Sequence, residues 1–493
     1  MSGRAFLLSA ALLWGGAAAA QSIEVGELGE AEVFSAGVLD VASGGLDANA
    51  WSGTSAPLAT RLLQTLPTEI EHPIARDLVA AALLSGAVPP EGTEAERKAF
   101  ADARTAYLLA SGQSERVAAL LERDVALSRD RRAQTDLALD RGDVESACLS
   151  AEDVVEGRAD PYWAKLRAFC LAKAGQVAAA ELTVELLANS GHEDTTFAKL
   201  FDGLTKNRRV RDVEPRTALH RAMIQALGVT AGSGDELGSL LSRMGTTPAD
   251  QFGAAMRALA GEAVLKTGAE LAGDPSGRAT AALYVLATEA RDANALAEFL
   301  RRAEAKGFFA QAAAALADAL RSSPPAPGAE GLWAKAAVLR GDIGSLVGLH
   351  SGAGGEAAAR IALVSDALGG GFRFAPLGED IDARLERGDA RAVRDALVAM
   401  ALGGRASDTA LAALESATYP DTTAAPGALV TLRASGAEGA RAETALRAAR
   451  LIADGNTDML TLADVISSLD AAGLNSFANR VAAWDMATPL SGD

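Results

Sequence analysis

The chain has 493 residues, of which 49% are hydrophobic, only 4% are aromatic and two are cysteines. Because alanine supplies much of the apolar fraction and is the best helix former, this composition predicts a nearly all-α protein with closely packed, thin helices. The formal net charge of −18 argues against nucleic acid and anionic lipid as partners, because like charges repel.

Residues 1–20 have the pattern of a secretory signal peptide. Arg4 supplies the positive start, Ala5–Trp14 is the apolar run, and Ala18–Ala20 are small residues suited to cleavage before Gln21. The run is shorter than the roughly 20 apolar residues that a membrane span needs, and no later segment is apolar enough to span. The sequence therefore predicts export to the periplasm or beyond, with an uncleaved anchor as the alternative.

Residues 21–56 are predicted to form a short extended N-terminal arm. Short apolar runs such as Ile23–Val25 alternate there with glycine and serine, which is typical of an arm or a pair of short strands. Helical periodicity follows, and Pro57–Leu66 and Pro73–Leu84 are predicted to pair as a helical hairpin. A Pro-Pro-Glu-Gly sequence at 89–92 then interrupts the pattern.

Three consecutive helix–turn–helix units come next, and each turns at a glycine. Gly112, Gly142 and Gly175 are 30 and 33 residues apart, the period of a stacked helical repeat. The clearest unit is Trp163–Leu187, in which an aromatic residue and a leucine open the first helix and the small Ala180 allows close helix approach. This pattern resembles a tetratricopeptide repeat. The resemblance implies an α-solenoid whose first helices line a concave, partner-binding face.

Similar turns continue towards the C-terminus with less regular spacing. They are predicted at Gly307, Gly341, Gly388, Gly436 and Gly473, of which the first two are 34 residues apart. The Ser- and Pro-rich residues 322–328 are predicted to link an N-terminal repeat solenoid, 57–321, to a C-terminal helical-repeat region, 329–493. The fold predicted overall is an all-α, degenerate helical-hairpin solenoid.

The two cysteines, Cys148 and Cys170, are predicted to meet across neighbouring repeats. In an antiparallel helix pair, residues equidistant from the turn lie opposite each other, and the midpoint of this pair is residue 159. That position falls in the expected turn Gly157–Pro161. An oxidising compartment would permit a disulfide, and two buried thiols are the alternative.

No catalytic, cofactor or metal motif is evident in the sequence. The four histidines lack metal-ligand spacing and are interpreted as surface or turn residues; they are His72, His192, His220 and His350. The glycine-rich Ser351–Gly355 follows no convincing strand and is interpreted as an inter-helix turn. We therefore expect neither a cofactor nor a metal.

An enzymatic role stays open as the alternative, because exported lytic transglycosylases can combine a helical superhelix with a catalytic glutamate in a Glu-Ser motif. This chain has two such pairs, Glu145–Ser146 inside a repeat and Glu415–Ser416 on a short amphipathic helix. Neither has a lysozyme-like context. The alternative function is thus a helical accessory subunit or a degenerate relative of a cell-wall lytic enzyme.

Two unusual stretches are candidates for partner contact. Lys206–Arg216 is basic within an acidic chain, so it is either a docking segment for an acidic partner or anionic wall polymer, or a solvated turn. Gly369–Phe374 places two phenylalanines beside a glycine run, as an exposed gripping loop or as rings that plug a gap between hairpins.

The groove of the second and third repeats is the predicted partner site. The residues predicted to point outward from the second repeat are Arg132, Asp136 and Asp140, and those of the third are Ala164, Ala168 and Leu171. A partly acidic, partly apolar groove suits an amphipathic or basic protein segment. The sequence therefore favours a periplasmic protein-binding scaffold of the cell envelope without enzymatic activity, with a structural or small-ligand-binding role as a third class.

Overall fold

The computed structural model describes residues 37–123, 130–155, 157–189, 191–192, 194–206, 208, 210, 213, 217–227, 241, 244, 249–417, 419 and 424–491. Over these residues the chain forms 26 α-helices, no strand and three isolated β-bridges. The predicted class, an all-α helical solenoid, is therefore confirmed. The predicted signal peptide lies outside the described residues.

The first ten helices include the three predicted helix–turn–helix units. They are α1 (Ala56–Thr65), α2 (Pro73–Leu84), α3 (Glu94–Ala110), α4 (Ser114–Arg123), α5 (Arg131–Asp140), α6 (Val144–Glu152), α7 (Pro161–Lys173), α8 (Val177–Asn189), α9 (Thr195–Lys206) and α10 (Ala218–Ala226). The hairpin predicted for Pro57–Leu66 and Pro73–Leu84 is wrong, because the first helix packs on the third and the second packs on a helix near the C-terminus. Helices α3 to α8 pack successively, α9 packs on α7, and α10 lies against both α5 and α9. Helix α10 therefore lies against the first helix of the second repeat.

The hairpins of the three clear repeats turn at the predicted glycines. The backbone φ angles are 73° at Gly112, 80° at Gly142 and 74° at Gly175. Each of these glycines donates its N–H to a carbonyl three residues earlier, at the end of the preceding helix. Glycine adopts this left-handed conformation without the steric cost of a Cβ, which explains why the helices end there.

Sixteen further helices follow in the described C-terminal part. They are α11 (Ala249–Ala260), α12 (Gly268–Ala272), α13 (Gly277–Val285), α14 (Ala293–Ala305), α15 (Phe309–Ala315), α16 (Ala317–Ser322), α17 (Glu330–Arg340), α18 (Ile343–Gly352), α19 (Gly355–Gly369), α20 (Glu379–Glu386), α21 (Ala390–Ala401), α22 (Asp408–Ser416), α23 (Pro426–Ala437), α24 (Arg441–Leu451), α25 (Met459–Ala471) and α26 (Asn475–Ala487). Helix α2 packs on α24 and α26, and buried residues from both ends of the described chain share one apolar core.

The described part of the N-terminal arm packs against α3 and against α24 near the C-terminus. Trp51 is only 2% exposed and meets the ring of Phe100 on α3 edge-on, with the ring centroids 4.8 Å apart. The N–H of Ala442 on α24 donates to the carbonyl of Ala50 at 2.9 Å. The only strand-like pairing of the arm in the described part is two isolated bridges, one of which joins Leu39 and Ser85.

The apolar core is continuous across the Ser- and Pro-rich residues 322–328, most of which are themselves exposed. The buried residues Leu320 and Leu332, on either side of the segment, belong to the same apolar cluster. The indole N–H of Trp333 donates to the carbonyl of Ser323 at 3.1 Å, and both residues are buried. The packing is therefore continuous across the boundary that composition predicts.

Gly436 does not make the turn predicted for it. It lies in the last turn of α23, and the chain instead turns at Gly439, where φ is 72°. Gly436 is buried against α25, and a Cβ built on it would lie 2.7 Å from the carbonyl oxygen of Ser468. The absent side chain thus allows two helices to approach closely, and the prediction of a turn at this glycine was wrong.

Replacing Gly436 by alanine is expected to destabilise the protein by about 1 to 3 kcal/mol, because the added methyl overpacks the contact with Ser468. Gly427→Ala, on the same helix, is the matched control, because a Cβ at that position meets no atom within 4 Å. Urea unfolding followed by circular dichroism measures both. Equal free energies of unfolding for the two variants would contradict the close approach.

Candidate functional site

A polar cleft opens between the first helices of the repeats and has a volume of about 380 Å³. The C-terminal part of α3, helix α5, the N-terminus of α7 and the N-terminus of α10 line it, together with Asp194 just before α9. Within the described part of the chain, none of the second helices α4, α6 and α8 contributes to the lining. The cleft therefore marks the face of the solenoid that the first helices share.

One wall of the cleft is an aromatic ring held by two charged residues. The Tyr162 hydroxyl donates to Oδ1 of Asp136 at 2.7 Å. The guanidinium carbon of Arg132 lies 4.4 Å from the centroid of the same ring, a cation–π distance. Trp163 meets Tyr162 edge-on, with centroids 4.8 Å apart. The ring is thus fixed in one orientation at the start of α7.

A second cluster in the cleft consists of one acidic residue in contact with two basic residues. Oδ2 of Asp194 accepts a hydrogen bond from Nζ of Lys165 at 2.7 Å and lies 3.2 Å from Nε2 of His220. Oδ1 of Asp194 accepts the N–H of Phe197 at 2.9 Å, so this carboxylate also caps α9. Burial raises the pKa of Asp194, but the hydrogen bonds from Lys165 and Phe197 outweigh it and hold the pKa below its usual value.

Burial also decides the charge state of His220. Its side chain is 4% exposed, and burial lowers its pKa although the carboxylate of Asp194 opposes the shift. The imidazole is therefore neutral at pH 7. The sequence interpretation of His220 as a surface or turn residue is wrong, because α10 carries this ring into the wall of the cleft.

The three residues predicted to bind a partner have different environments. Arg132 and Asp136 line the cleft, whereas Asp140 does not. The Asp140 side chain is 8% exposed, and its Oδ1 accepts a hydrogen bond from Nε of Arg221 on α10 at 2.6 Å. Ser114 also donates to Asp140. Because α10 covers the end of α5, Asp140 is a structural ion-pair residue and does not point outward.

The third repeat differs from its predicted outward stripe as well. Ala168 is fully buried, and Ala164 and Leu171 are half-buried. Tyr162 and Lys165 supply the surface of α7 in the cleft. These two residues are three apart and share one helix face, a local signal that could have identified them from the sequence.

Asp136 is the cleft residue whose charge responds to pH near neutrality. Burial raises its pKa to about 6, and the hydrogen bond from Tyr162 and the charge of Arg132 oppose part of that shift. The folded protein therefore keeps a proton on Asp136 between about pH 4 and pH 6, where an unfolded chain has released it. The stability contributed by this group falls as the pH rises through that window.

Asp136→Asn should remove this pH dependence, because the amide keeps an oxygen acceptor for Tyr162 and does not ionise. We expect the free energy of unfolding of the variant to increase relative to the wild type by about 1.5 kcal/mol between about pH 4.5 and pH 6. Urea unfolding at several pH values measures the difference. A constant difference across this range would show that Asp136 does not have a raised pKa.

A disulfide joins helices α6 and α7 of the same repeats. Cys148 on α6 and Cys170 on α7 are joined in the structure, with their Cα atoms 5.7 Å apart. This distance is within the range that a disulfide requires. In the turn between the two helices, the N–H of Asp160 donates a hydrogen bond to the carbonyl of Gly157 at 2.8 Å. The bond therefore crosses the interface between the second and third repeats.

The remaining sequence candidates are distributed over other parts of the fold. Glu145 and Glu415 are both exposed on helices and line neither cleft nor cavity. His72 is buried, caps α2 by accepting the Ala75 N–H at 3.3 Å, and has its pKa lowered to about 3 by burial. His72 is thus not a surface residue, whereas His192 and His350 are exposed.

The basic segment and the phenylalanine pair have mixed outcomes. Lys206 and Arg208 both pair with Asp202, at 2.6 Å and 3.3 Å, and most of the rest of the segment is outside the described residues. Phe372 is 3% exposed and fills a gap, whereas Phe374 is 81% exposed. The ring of Phe372 is thus part of the core, whereas the ring of Phe374 is exposed to solvent.

Most of the charged groups of the cleft already have a partner within the protein. They are engaged by one another or by backbone groups, as in the Lys165–Asp194 pair and the Asp160 cap of α7. The described residues contain no group of three histidine, cysteine or acidic side chains that could hold a metal. In the same part of the chain, no helix is both long and apolar enough to cross a membrane.

The fold and the cleft together define the class: an all-α helical solenoid with a polar cleft along its first helices. Comparison of the chain with protein-family models, with curated proteins and with solved structures finds no match.

Proposed function

We propose that the protein is an exported, periplasmic scaffold of the cell envelope that binds a segment of another protein in the cleft. Its hairpins are, in this proposal, degenerate tetratricopeptide repeats. The observation that supports it is the composition of the cleft wall, which comes from α3, α5, α7 and α10. First helices supply the concave binding face in such solenoids.

The charges favour a basic segment as the ligand. Three carboxylates, those of Asp136, Asp160 and Asp194, line the cleft against the cations Arg132 and Lys165. The apolar lining residues are Leu109, Leu219 and the alanines beside them. Leu109 and Leu219 are only 2% and 3% exposed, so the carboxylates are the main contact groups for a basic segment. The net charge of −18 steers such a partner towards the protein.

The test neutralises two cleft carboxylates without removing a helix cap. Asp160 caps α7 by accepting the Tyr162 N–H at 2.8 Å, and asparagine caps a helix equally well. We expect the double variant Asp136→Asn/Asp160→Asn to bind its partner about tenfold more weakly, a loss of about 1.4 kcal/mol. The partner is captured from periplasmic extract, identified, and titrated as a purified protein.

Asp143→Asn is the matched control for this experiment. Asp143 caps α6 by accepting the Ser146 N–H at 3.1 Å, and it lies outside the cleft lining. The control should bind as tightly as the wild type. Unchanged binding by the double variant would exclude the cleft as the contact surface, even if the protein is a scaffold.

Export is tested independently. N-terminal sequencing of the mature native protein should begin at Gln21, after removal of residues 1–20. A mature protein that retains Met1, or that is found in the cytoplasm, would contradict the periplasmic part of the proposal.

We propose further that the chain catalyses nothing itself. Turnover of purified peptidoglycan by the protein alone would overturn this and favour the relationship to a cell-wall lytic enzyme. Stimulation of a separate lytic enzyme by the inactive protein would identify it as an accessory subunit.

A further inference from the structure

A second cavity lies where the two ends of the described chain meet, far along the sequence from the polar cleft. Its volume is about 370 Å³. Four separate segments contribute to it: residues 41–47 of the arm, residues 339–341 at the C-terminal end of α17, Arg441 at the start of α24, and residues 473–480 around the start of α26. Its integrity therefore requires the N- and C-terminal parts to be packed together.

The lining is strongly cationic for so acidic a protein. Three guanidinium groups, those of Arg340, Arg441 and Arg480, face one carboxylate in the lining, that of Asp47. Asp47 pairs with Arg441. Three guanidinium groups and one carboxylate thus line the cavity, and the carboxylates that pair with Arg340 and Arg480, those of Asp342 and Asp77, lie outside the lining.

Several of these guanidinium donors have no acceptor. Nε and Nη1 of Arg340 and Nε of Arg480 are buried and find no hydrogen-bond partner among the residues that the structure describes. The remaining nitrogen of Arg340, Nη2, forms an ion pair with Oδ2 of Asp342 at 3.8 Å. Buried donors without acceptors are unfavourable, and they are commonly satisfied by a ligand or by water.

The other groups of Arg441 and Arg480 hold them in place. Nη2 of Arg480 donates to the carbonyl of Leu339 at 3.0 Å, and Nε of Arg441 donates to the carbonyl of Ala472 at 3.3 Å. These contacts anchor the side chains to the backbone at the edge of the cavity. An incoming ligand would therefore meet largely preorganised donors.

The N-terminus of α26 adds to the positive electrostatic potential of the cavity. Leu474 occupies the cap position and offers no side-chain acceptor, and the first residues of the helix, Asn475 to Phe477, line the cavity. The helix is 13 residues long, so its dipole favours an anion at this end.

We infer that this cavity binds a small molecule through a multivalent oxyanion group, a phosphate or a cluster of carboxylates. Planar guanidinium groups form paired hydrogen bonds with both kinds of group, and three of them from separate segments match a ligand with several oxygens. Because the cavity joins both ends of the chain, the bound anion would also stabilise the packing of the arm and α17 on α24 and α26.

The experiment titrates inorganic phosphate, pyrophosphate and citrate into the full-length mature protein by calorimetry, with chloride added to keep the ionic strength constant. At least one of these anions should bind saturably at a single site. Arg340→Gln and Arg441→Gln should each weaken that binding about tenfold. Tighter binding of pyrophosphate identifies a phosphorylated ligand, and tighter binding of citrate identifies a polycarboxylate.

The matched control is Arg433→Gln. Arg433 pairs with Asp464 on the surface, is 59% exposed and lies outside the cavity lining. Its substitution should leave anion binding unchanged, and a thermal melt without ligand verifies that each variant is folded. The absence of saturable binding of all three anions to the wild type, or equal binding by Arg340→Gln and Arg433→Gln, would overturn the inference.

Discussion

Replacing Asp395 by alanine is expected to lower the free energy of unfolding by about 3 to 5 kcal/mol, because it leaves two buried guanidinium groups without their shared counter-ion. Asp395 lies on α21 and is 2% exposed. It accepts two hydrogen bonds from Nη1 of Arg360, at 2.7 Å and 2.8 Å, and one from Nη1 of Arg384 at 2.8 Å. The two arginines are 6% and 7% exposed.

The matched control is Asp464→Ala, which breaks an aspartate–arginine pair at the surface. Its partner Arg433 is 59% exposed, so solvent screens the interaction, and we expect a loss below about 1 kcal/mol. Urea unfolding of both variants gives the comparison. Similar losses at the two sites would show that the Asp395 cluster is accessible to water in solution.

Removing the disulfide is expected to have the second largest effect. The bond closes a loop of 22 residues, whose constraint on the unfolded chain is worth about 3 kcal/mol in the chain-entropy model. The double variant Cys148→Ala/Cys170→Ala should lose that amount in denaturant unfolding. Chemical reduction of the wild type should produce the same loss, because both treatments free the α6–α7 connection.

The double alanine variant is its own control for the reducing agent, since reduction should not affect it. Thiol titration of the unfolded, unreduced protein adds a direct measurement. It should detect no free thiol in the wild type, because the described chain has no free cysteine. Two free thiols would refute the bridge and favour a pair of buried cysteines.

The two proposed binding sites are separable by experiment. The polar cleft depends on the repeats around α5 and α7, whereas the arginine-lined cavity depends on the contact between the arm, α17, α24 and α26. Asp136→Asn/Asp160→Asn should leave anion binding unchanged, and Arg340→Gln should leave partner binding unchanged. Cross-effects in both directions would indicate that the two sites are coupled through the solenoid.

Local chemistry determined the helical class and the turns of the repeats. Alanine-rich sequence favours helix at almost every position, and a left-handed glycine ends a helix whatever packs around it, as at Gly112 and Gly175. The juxtaposition of Cys148 and Cys170 follows from the same kind of reasoning, because the register of an antiparallel helix pair depends only on the position of its turn. These features are encoded within a few tens of residues.

The candidate sites are formed by contacts between segments that are far apart in the sequence. Asp140 reads as an outward residue of α5 until Arg221, 81 positions later, brings α10 over it. In sequence, Gly436 resembles the glycines that make turns. In the structure, its missing side chain allows the backbone of Ser468 to pack closely against it. The arginine-lined cavity exists only because the arm meets α26. Sequence periodicity indicates which residues share a helix face, but not which other helix packs against that face. The burial, the ion pairs and the pKa values of the side chains all depend on that second helix.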